Sequence, residues 1–266
     1  MTTRYPKRPD GYDAGFRGVV VTPPPGVSSS EGRSSRDTIR PELEDLCPTG
    51  AIERRSGSAG DPGETTAELD RGRCILCGRC VEARPDVFAF SPDTESAAAS
   101  RRALVVPHAA GDDAELDDLR RHLDRRVRAL RRSIHVRHVD AGSDGAEEWE
   151  VAALTNPVYD VQRLGIYFTA SPRHADVLLV TGVGTSGMAG PLRETYAAMA
   201  DPKVVVAAGT DATSGGLVHP TYSAGPGVAS ILPVDVFVPG SPPSPFSLLH
   251  GILLGIGILP DRAVRR

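Results

Sequence analysis

No stretch of this 266-residue chain is apolar for long enough to span a bilayer. The longest apolar run, Phe246 to Pro260, is interrupted by His250 and several glycines and predicts a core or interface helix. The N-terminus, MTTRYPKRPDGYDAG, has no apolar run after its basic residues, which argues against a secretory signal and predicts residence in the cytoplasm. Positive charge is not in excess: 30 Lys and Arg stand against 34 Asp and Glu, a net charge of −4, so there is no global attraction for nucleic acid. Cysteine is scarce as well. There are four, at positions 47, 74, 77 and 80, and none in the remaining two-thirds of the chain. In a reducing compartment such crowded thiols are metal ligands more often than disulfide partners. What is present is ordinary for a soluble globular protein, 40% hydrophobic and 24% charged residues, in a chain long enough for one large domain or two modest ones.

The texture of the chain favours two domains. Residues 1–35 include PPPGVSSSEGRSS, which has too few large apolar groups to offset its ordering entropy and reads as a flexible N-terminal arm. Residues 36–108 hold the cysteines, with short apolar pieces at Ala51-Ile52, Val87 to Phe90 and Ala103 to Val106 that suit the small strands of a compact α+β unit. A bound metal would supply part of so small a core. Residues 109–133 form a linker in which Leu116, Leu119, Leu123, Val127 and Leu130 recur at helical spacing among many charges, a solvated amphipathic helix.

From residue 134 to 266 continuous runs rich in Val and Leu appear: Ala175 to Gly182, Lys203 to Gly209 and Val234 to Gly240. Such runs mark strands covered on both faces, as in a parallel α/β sheet. Between the first two, a helix is predicted from near Pro191 to just before Pro202. Each strand runs into a glycine-rich loop, which places GVGTSG, GTDATSGG and PGSPPSP at the carboxyl edge where sites in open α/β sheets form. GVGTSG lacks the lysine of a P-loop, and no nucleophile elbow accompanies Ser186, Ser214, His219 or Asp235. His174 reads as a loop or partner contact.

The chemistry is carried by Cys74-Ile-Leu-Cys77-Gly-Arg-Cys80, three thiols at two-residue spacing, with Cys47-Pro48 supplying a fourth from a distance. A tight loop lets three thiolates cap three corners of a [4Fe-4S] cube while the remote cysteine takes the last iron, and Gly78 lets the backbone come close. Four cysteines also satisfy tetrahedral zinc, although zinc sites more often pair two CxxC units. This segment resembles bacterial two-cluster ferredoxins: Cys47-Pro48-Thr49-Gly50-Ala51-Ile52 looks like the tail of a first motif and residues 74–80 like the head of a second. The first motif's leading cysteines are missing, and Arg84-Pro85 stands where the second motif would have its own Cys-Pro. The resemblance therefore implies one [4Fe-4S] cluster on Cys47, Cys74, Cys77 and Cys80, with everything needed for the other cluster gone.

From about Val136 onward the chain resembles the small subunit shared by complex I and membrane-bound [NiFe] hydrogenases, particularly the formate-hydrogenlyase-like branch. The likeness is carried by DAGSDGAEEWEVAAL (Asp140 to Leu154), YDVQRLGIYFTASPRHADVLLVTG (Tyr159 to Gly182), GTDATSGG (Gly209 to Gly216) and VDVFVPGSPPSP (Val234 to Pro245). It implies a flavodoxin-like α/β fold, with a large-subunit homologue docked over the loop edge. In the family, cysteines of a proximal cluster stand where this chain has Asp144, Glu147, Asp211 and Ser241, so the resemblance implies that this cluster is lost. Oxygens from Asp144, Glu147 and Asp211 would suit a hard divalent ion, but the simpler expectation is that water or salt bridges fill the site. Glu148 matches an acidic residue of the family beside the second ligand.

Together these readings predict a flavodoxin-like parallel sheet preceded by a small ferredoxin-like domain. The function they imply is electron transfer within a complex I-like or energy-converting hydrogenase-related complex, not self-contained catalysis. The expected partners are the large subunit, its membrane arm and a redox donor or acceptor protein, with the chain peripheral at the inner face of the cell membrane. The alternative is a scaffold or redox-sensing subunit whose cluster is structural.

Overall fold

A computed structural model describes residues 15–22, 45, 47–56, 65–107, 118, 121, 125, 133–219 and 221–259. The predicted connecting helix falls almost wholly outside the described residues, as do residues 1–14 and 23–35 of the predicted N-terminal arm. Residues 15–22 correct the expectation of a flexible arm: Val19–Val21 pairs with Ala89–Ser91 as a strand, and Val20 is buried in the small core, because its apolar side chains find cover there.

The second half is built on five parallel strands: β6 (Ile134–Asp140), β7 (Ile166–Phe168), β8 (Val177–Thr181), β9 (Val204–Ala208) and β10 (Val236–Val238). Their order is β10-β9-β8-β6-β7, the doubly wound arrangement of the flavodoxin-like fold that the family resemblance implies. The runs of Val and Leu fall on β8 and β9, every residue of which is buried, because helices cover both faces. One face holds a core of Val136, Val177, Leu179, Val204 and Val206 under helix α5 (Pro245–Gly255). The other packs Leu178, Val180, Val205 and Ala207 against Leu192 of helix α3 (Ser186–Ala198). The apolar run after Phe246 is thus a core helix: every residue of α5 except Phe246 is buried. Among the described residues no helix is long and apolar enough to cross a membrane.

Helix α3 corrects one expectation. It begins at Ser186, so Pro191 lies inside it and not at its start. The amides of Met188 and Ala189 already bond to the Thr185 carbonyl and close the first turn. The N–H that Pro191 lacks would have met the carbonyl of Gly187, which is exposed to water, so the proline is tolerated there.

The first half forms two small antiparallel sheets. β1 (Val19–Val21) pairs with β4 (Ala89–Ser91); β2 (Ile52–Ser56) pairs with β3 (Thr65–Asp70), which also pairs with β5 (Val105–Val106). A short helix, α1 (Arg79–Ala83), follows the cysteine run. The core here is Val20, Ile52, Leu69, Phe88 and Val106, with Cys47, Cys74 and Cys80 packed against it.

The two halves are joined by more than the chain. Ala98 forms a bridge to Phe237 on β10, an edge strand of the large sheet, and the Ala97 amide donates to His250 Nδ1 on α5 at 3.2 Å. Ala98, Ala103 and Leu104 sit in the large domain's core. Asp70 at the end of β3 takes both guanidinium nitrogens of Arg101, at 2.6 and 2.5 Å.

Candidate iron–sulfur site and the carboxylate edge

Cys74, Cys77 and Cys80 occupy the loop between β3 and α1 and its first turn, and Cys47 approaches from the segment before β2. All four line one cavity of about 340 Å³ counting its open mouth, together with Thr49, Ile75 and Gly78. The loop turns through Leu76 and Gly78, both at positive φ (55° and 85°). A Cβ on Gly78 would stand 3.3 Å from the Phe90 ring, so glycine suits both the turn and the close packing.

The thiols are unequal. Cys77 is exposed, whereas burial pushes the Cys74 thiol up to about 12, the other three cysteines adding to the rise and a hydrogen bond from the Leu76 amide opposing it. Cys80 is raised as well, chiefly by burial. The Ala51 amide donates to Cys47 Sγ at 3.1 Å. As placed, no three Cys, His, Asp or Glu side chains among the described residues stand at coordination distance. The donor set nevertheless fits an iron–sulfur cluster: four soft thiols around one cavity, with backbone N–H groups directed at Cys47 and Cys74.

The four replaced positions of the large domain lie at the carboxyl edge of its sheet. Asp144 follows β6, Glu147 sits in the first turn of helix α2 (Ala146–Ala153), Asp211 in helix α4 (Thr210–Ser214) after β9, and Ser241 follows β10. Asp144 is exposed and its Oδ1 accepts from the Ala146 amide. Ser241 is exposed also, but the neighbouring Gly240 carbonyl takes the Thr210 amide at 2.7 Å, which ties the last two loops together. Glu147 is 2% exposed, and its Oε2 has no hydrogen-bond partner. Burial pushes its carboxyl up to about 7, with Asp211, Asp144 and Glu148 adding to the rise. Burial also raises Asp211, again helped by Asp144 and Glu148. Among the described residues neither Glu147 nor Asp211 forms an ion pair. The salt bridges expected to fill this site do not involve them; burial and mutual repulsion raise both carboxyls instead.

Glu148 is differently placed. Ser143 Oγ donates to its Oε2 at 2.7 Å and Thr181 Oγ1 donates to its Oε1; His138 Nε2 lies 3.0 Å from the same Thr181 hydroxyl. The His138 pKa is lowered by burial, against the pull of Glu148 and Asp140. His174 stands in a short 3-10 turn before β8 and takes no part in either site.

Two contacts were beyond sequence reasoning. The Thr210 hydroxyl donates to the Cys74 carbonyl at 3.0 Å, across 136 positions of sequence, and fastens the cysteine loop to the carboxylate edge. Gly209, at φ +96°, seats Glu147: an added Cβ would come within 2.6 Å of Glu147 Oε1. Gly209→Ala is therefore expected to destabilise the protein by about 2 kcal/mol, from the positive φ and the displaced carboxyl together, measured by chemical unfolding.

Comparison with known proteins places both halves. Residues 145–254 match the family of the 20 kDa subunit of NADH ubiquinone oxidoreductase, and residues 68–123 match a 4Fe-4S single cluster domain. Formate hydrogenlyase subunit 7 of Escherichia coli (strain K12) is 38% identical over 136 residues, 51% of this chain and 53% of that protein. This chain thus spans about half the length of that relative. The probable membrane-bound hydrogenase subunit mbhJ of Pyrococcus furiosus is 39% identical over 141 residues, 52% of this chain and 84% of that protein. A solved chain of the membrane-bound sulfane sulfur reductase, an archaeal respiratory membrane complex, is 29% identical with a TM-score of 0.42, covering 52% of this chain and 75% of that one.

Proposed function

We propose, on the premise that this chain belongs to the family of the 20 kDa subunit of NADH ubiquinone oxidoreductase, that it is the electron-transfer subunit of a complex I-like or hydrogenase-type membrane-associated complex, carrying one [4Fe-4S] cluster on Cys47, Cys74, Cys77 and Cys80 and none at the family's proximal site. One observation carries the reading: the Thr210 hydroxyl holds the Cys74 carbonyl at 3.0 Å. The cysteine loop is thereby seated on α4, beside the positions from which the proximal-site cysteines are missing, so one site stands near where the other would have been. When bound, the cluster supplies one-electron chemistry. The chain's own residues hold it to the sheet edge, shield one side with Phe88 and Val20, and leave Cys77 open to an incoming redox partner.

The single cluster domain match, residues 68–123, contains only three cysteines, and Cys47 lies outside it. Cys47 is assigned as the fourth ligand because it lines the same cavity. Iron, sulfide and zinc assays with EPR of the anaerobically purified protein test the reading. It requires about four irons per chain and a single reducible signal; about eight irons would refute the vacated proximal site, and zinc in place of iron would leave a scaffold.

The edge also carries the apolar groups a large partner would cover. Trp149 is 79% exposed on α2, and Leu217 and Tyr222, at 60% and 101%, follow α4. Trp149→Ala is expected to weaken association with the large-subunit homologue by about tenfold or more, the usual effect of removing an aromatic anchor, read as loss of co-purification. Unchanged recovery of the complex would place the interface elsewhere.

A further inference from the structure

Glu147 is the described residue whose chemistry the single-cluster function leaves unused. It is buried, its Oε2 lacks any partner, and it rests on Gly209, the residue that leads directly into Thr210 and so to the Cys74 carbonyl. Carboxylates face it from two elements: Asp144 and Glu148 from the start of α2, and Asp211 from α4. Behind Glu148 stand Thr181 and His138. Helix α5, packed on α2, brings His250, which is occupied by the Ala97 amide. On the cysteine side Arg101 is bound to Asp70, and the half-buried Arg71, whose Nε donates to the Val20 carbonyl, feels chiefly the charges of Asp93 and Cys74. The charges that act most on Glu147 are therefore negative, and each further negative charge added nearby favours its protonated form.

We infer that Glu147 takes up a proton when the cluster site anchored by Cys74 gains an electron. The inference rests on the single-cluster reading above. The electron comes from a low-potential one-electron donor, dithionite in the test. The proton comes from solvent hydronium by way of the exposed Asp144 edge: one O–H bond forms on Glu147, one breaks on the hydronium, and water is left behind. The added negative charge is thereby cancelled within the buried interface, where screening by water is weak.

The sign of the effect follows from the Glu147 carboxyl titrating at about 7 before reduction. Below that pH it is protonated in both redox states and the midpoint potential is flat. Above it, reduction draws in a proton and the potential falls with rising pH, by up to about 59 mV per tenfold change in proton concentration for a one-electron couple. The experiment is an EPR-monitored redox titration of the full-length holo-protein between about pH 5.5 and about pH 9, with redox-difference infrared spectra of the same samples. Glu147→Gln is expected to hold the potential at the wild-type acid plateau at every pH and to abolish a protonated-carboxyl band that appears on reduction. Asp211→Asn, which removes one like charge, is expected to start the slope at lower pH. A wild-type slope retained in E147Q, or no carboxyl band in the wild type, overturns the proton coupling while leaving the single cluster standing. A protein with no reducible cluster overturns both.

Discussion

Replacing Cys47 by serine is expected to remove iron from the purified protein as completely as replacing Cys74, Cys77 or Cys80. The expectation is demanding because Cys47 is 27 positions upstream of its nearest partner in sequence and outside the matched cluster domain. Yet it packs on the same small core as Cys74 and Cys80, and its sulfur accepts the Ala51 amide, as a thiolate held to iron would. A buried thiol pushed up to about 12, as at Cys74, ionises at neutral pH only when a cation shares its charge. With one of four ligands gone, that compensation fails at the remaining three. Iron content should fall from about four per chain to near zero, and thermal stability should fall with it, since Cys47, Cys74 and Cys80, the proposed ligands, pack directly on the small core. A Cys47→Ser protein that keeps a full, reducible cluster would assign the fourth ligand elsewhere.

The second large effect concerns stability and pH. Glu147 titrates near 4.5 in an unfolded chain and near 7 in the fold. Below 4.5 both states hold the proton and nothing is lost. Between 4.5 and about 7 the unfolded chain releases its proton while the fold retains it, so stability falls as pH rises, and above about 7 the loss is complete. A rise of that size corresponds to about 3 kcal/mol. Glu147→Gln, neutral and of the same shape, escapes the penalty. It should be more stable than wild type by up to about 3 kcal/mol near pH 8, with the gap closing as pH falls toward about 5, measured by denaturant titration of each protein. Equal stability at both pH values would mean that water reaches this carboxyl freely.

Much of the frame was legible because burial writes itself into sequence. The apolar runs at 177–181 and 204–208 can be little else than strands covered on both faces, and the glycines after them mark the loop edge. Pro191 misled because proline is read as a helix start, whereas the amides of Met188 and Ala189 had already closed the turn before it. The replaced positions were legible as a departure from the family pattern, but their physical state was not. That Glu147 is buried and unpartnered while Asp144 is exposed depends on how α2 meets Gly209, a packing detail with no periodic signature. The hydrogen bond from Thr210 to Cys74 joins segments 136 positions apart, and no local rule of sequence reaches that far.

The bridge between Ala98 and Phe237 bears on how electrons can travel. Some carriers work as swinging arms, collecting charge in one pose and delivering it in another. Here the segment leaving the iron–sulfur half is stitched to the rim of the neighbouring sheet at Ala98, pinned again at Ala97 by His250, and clasped by Asp70 and Arg101. Such a module is hard-wired: on the proposed function, an electron would leave it by tunnelling from a site held in place by these contacts, and not by a swing of the carrier.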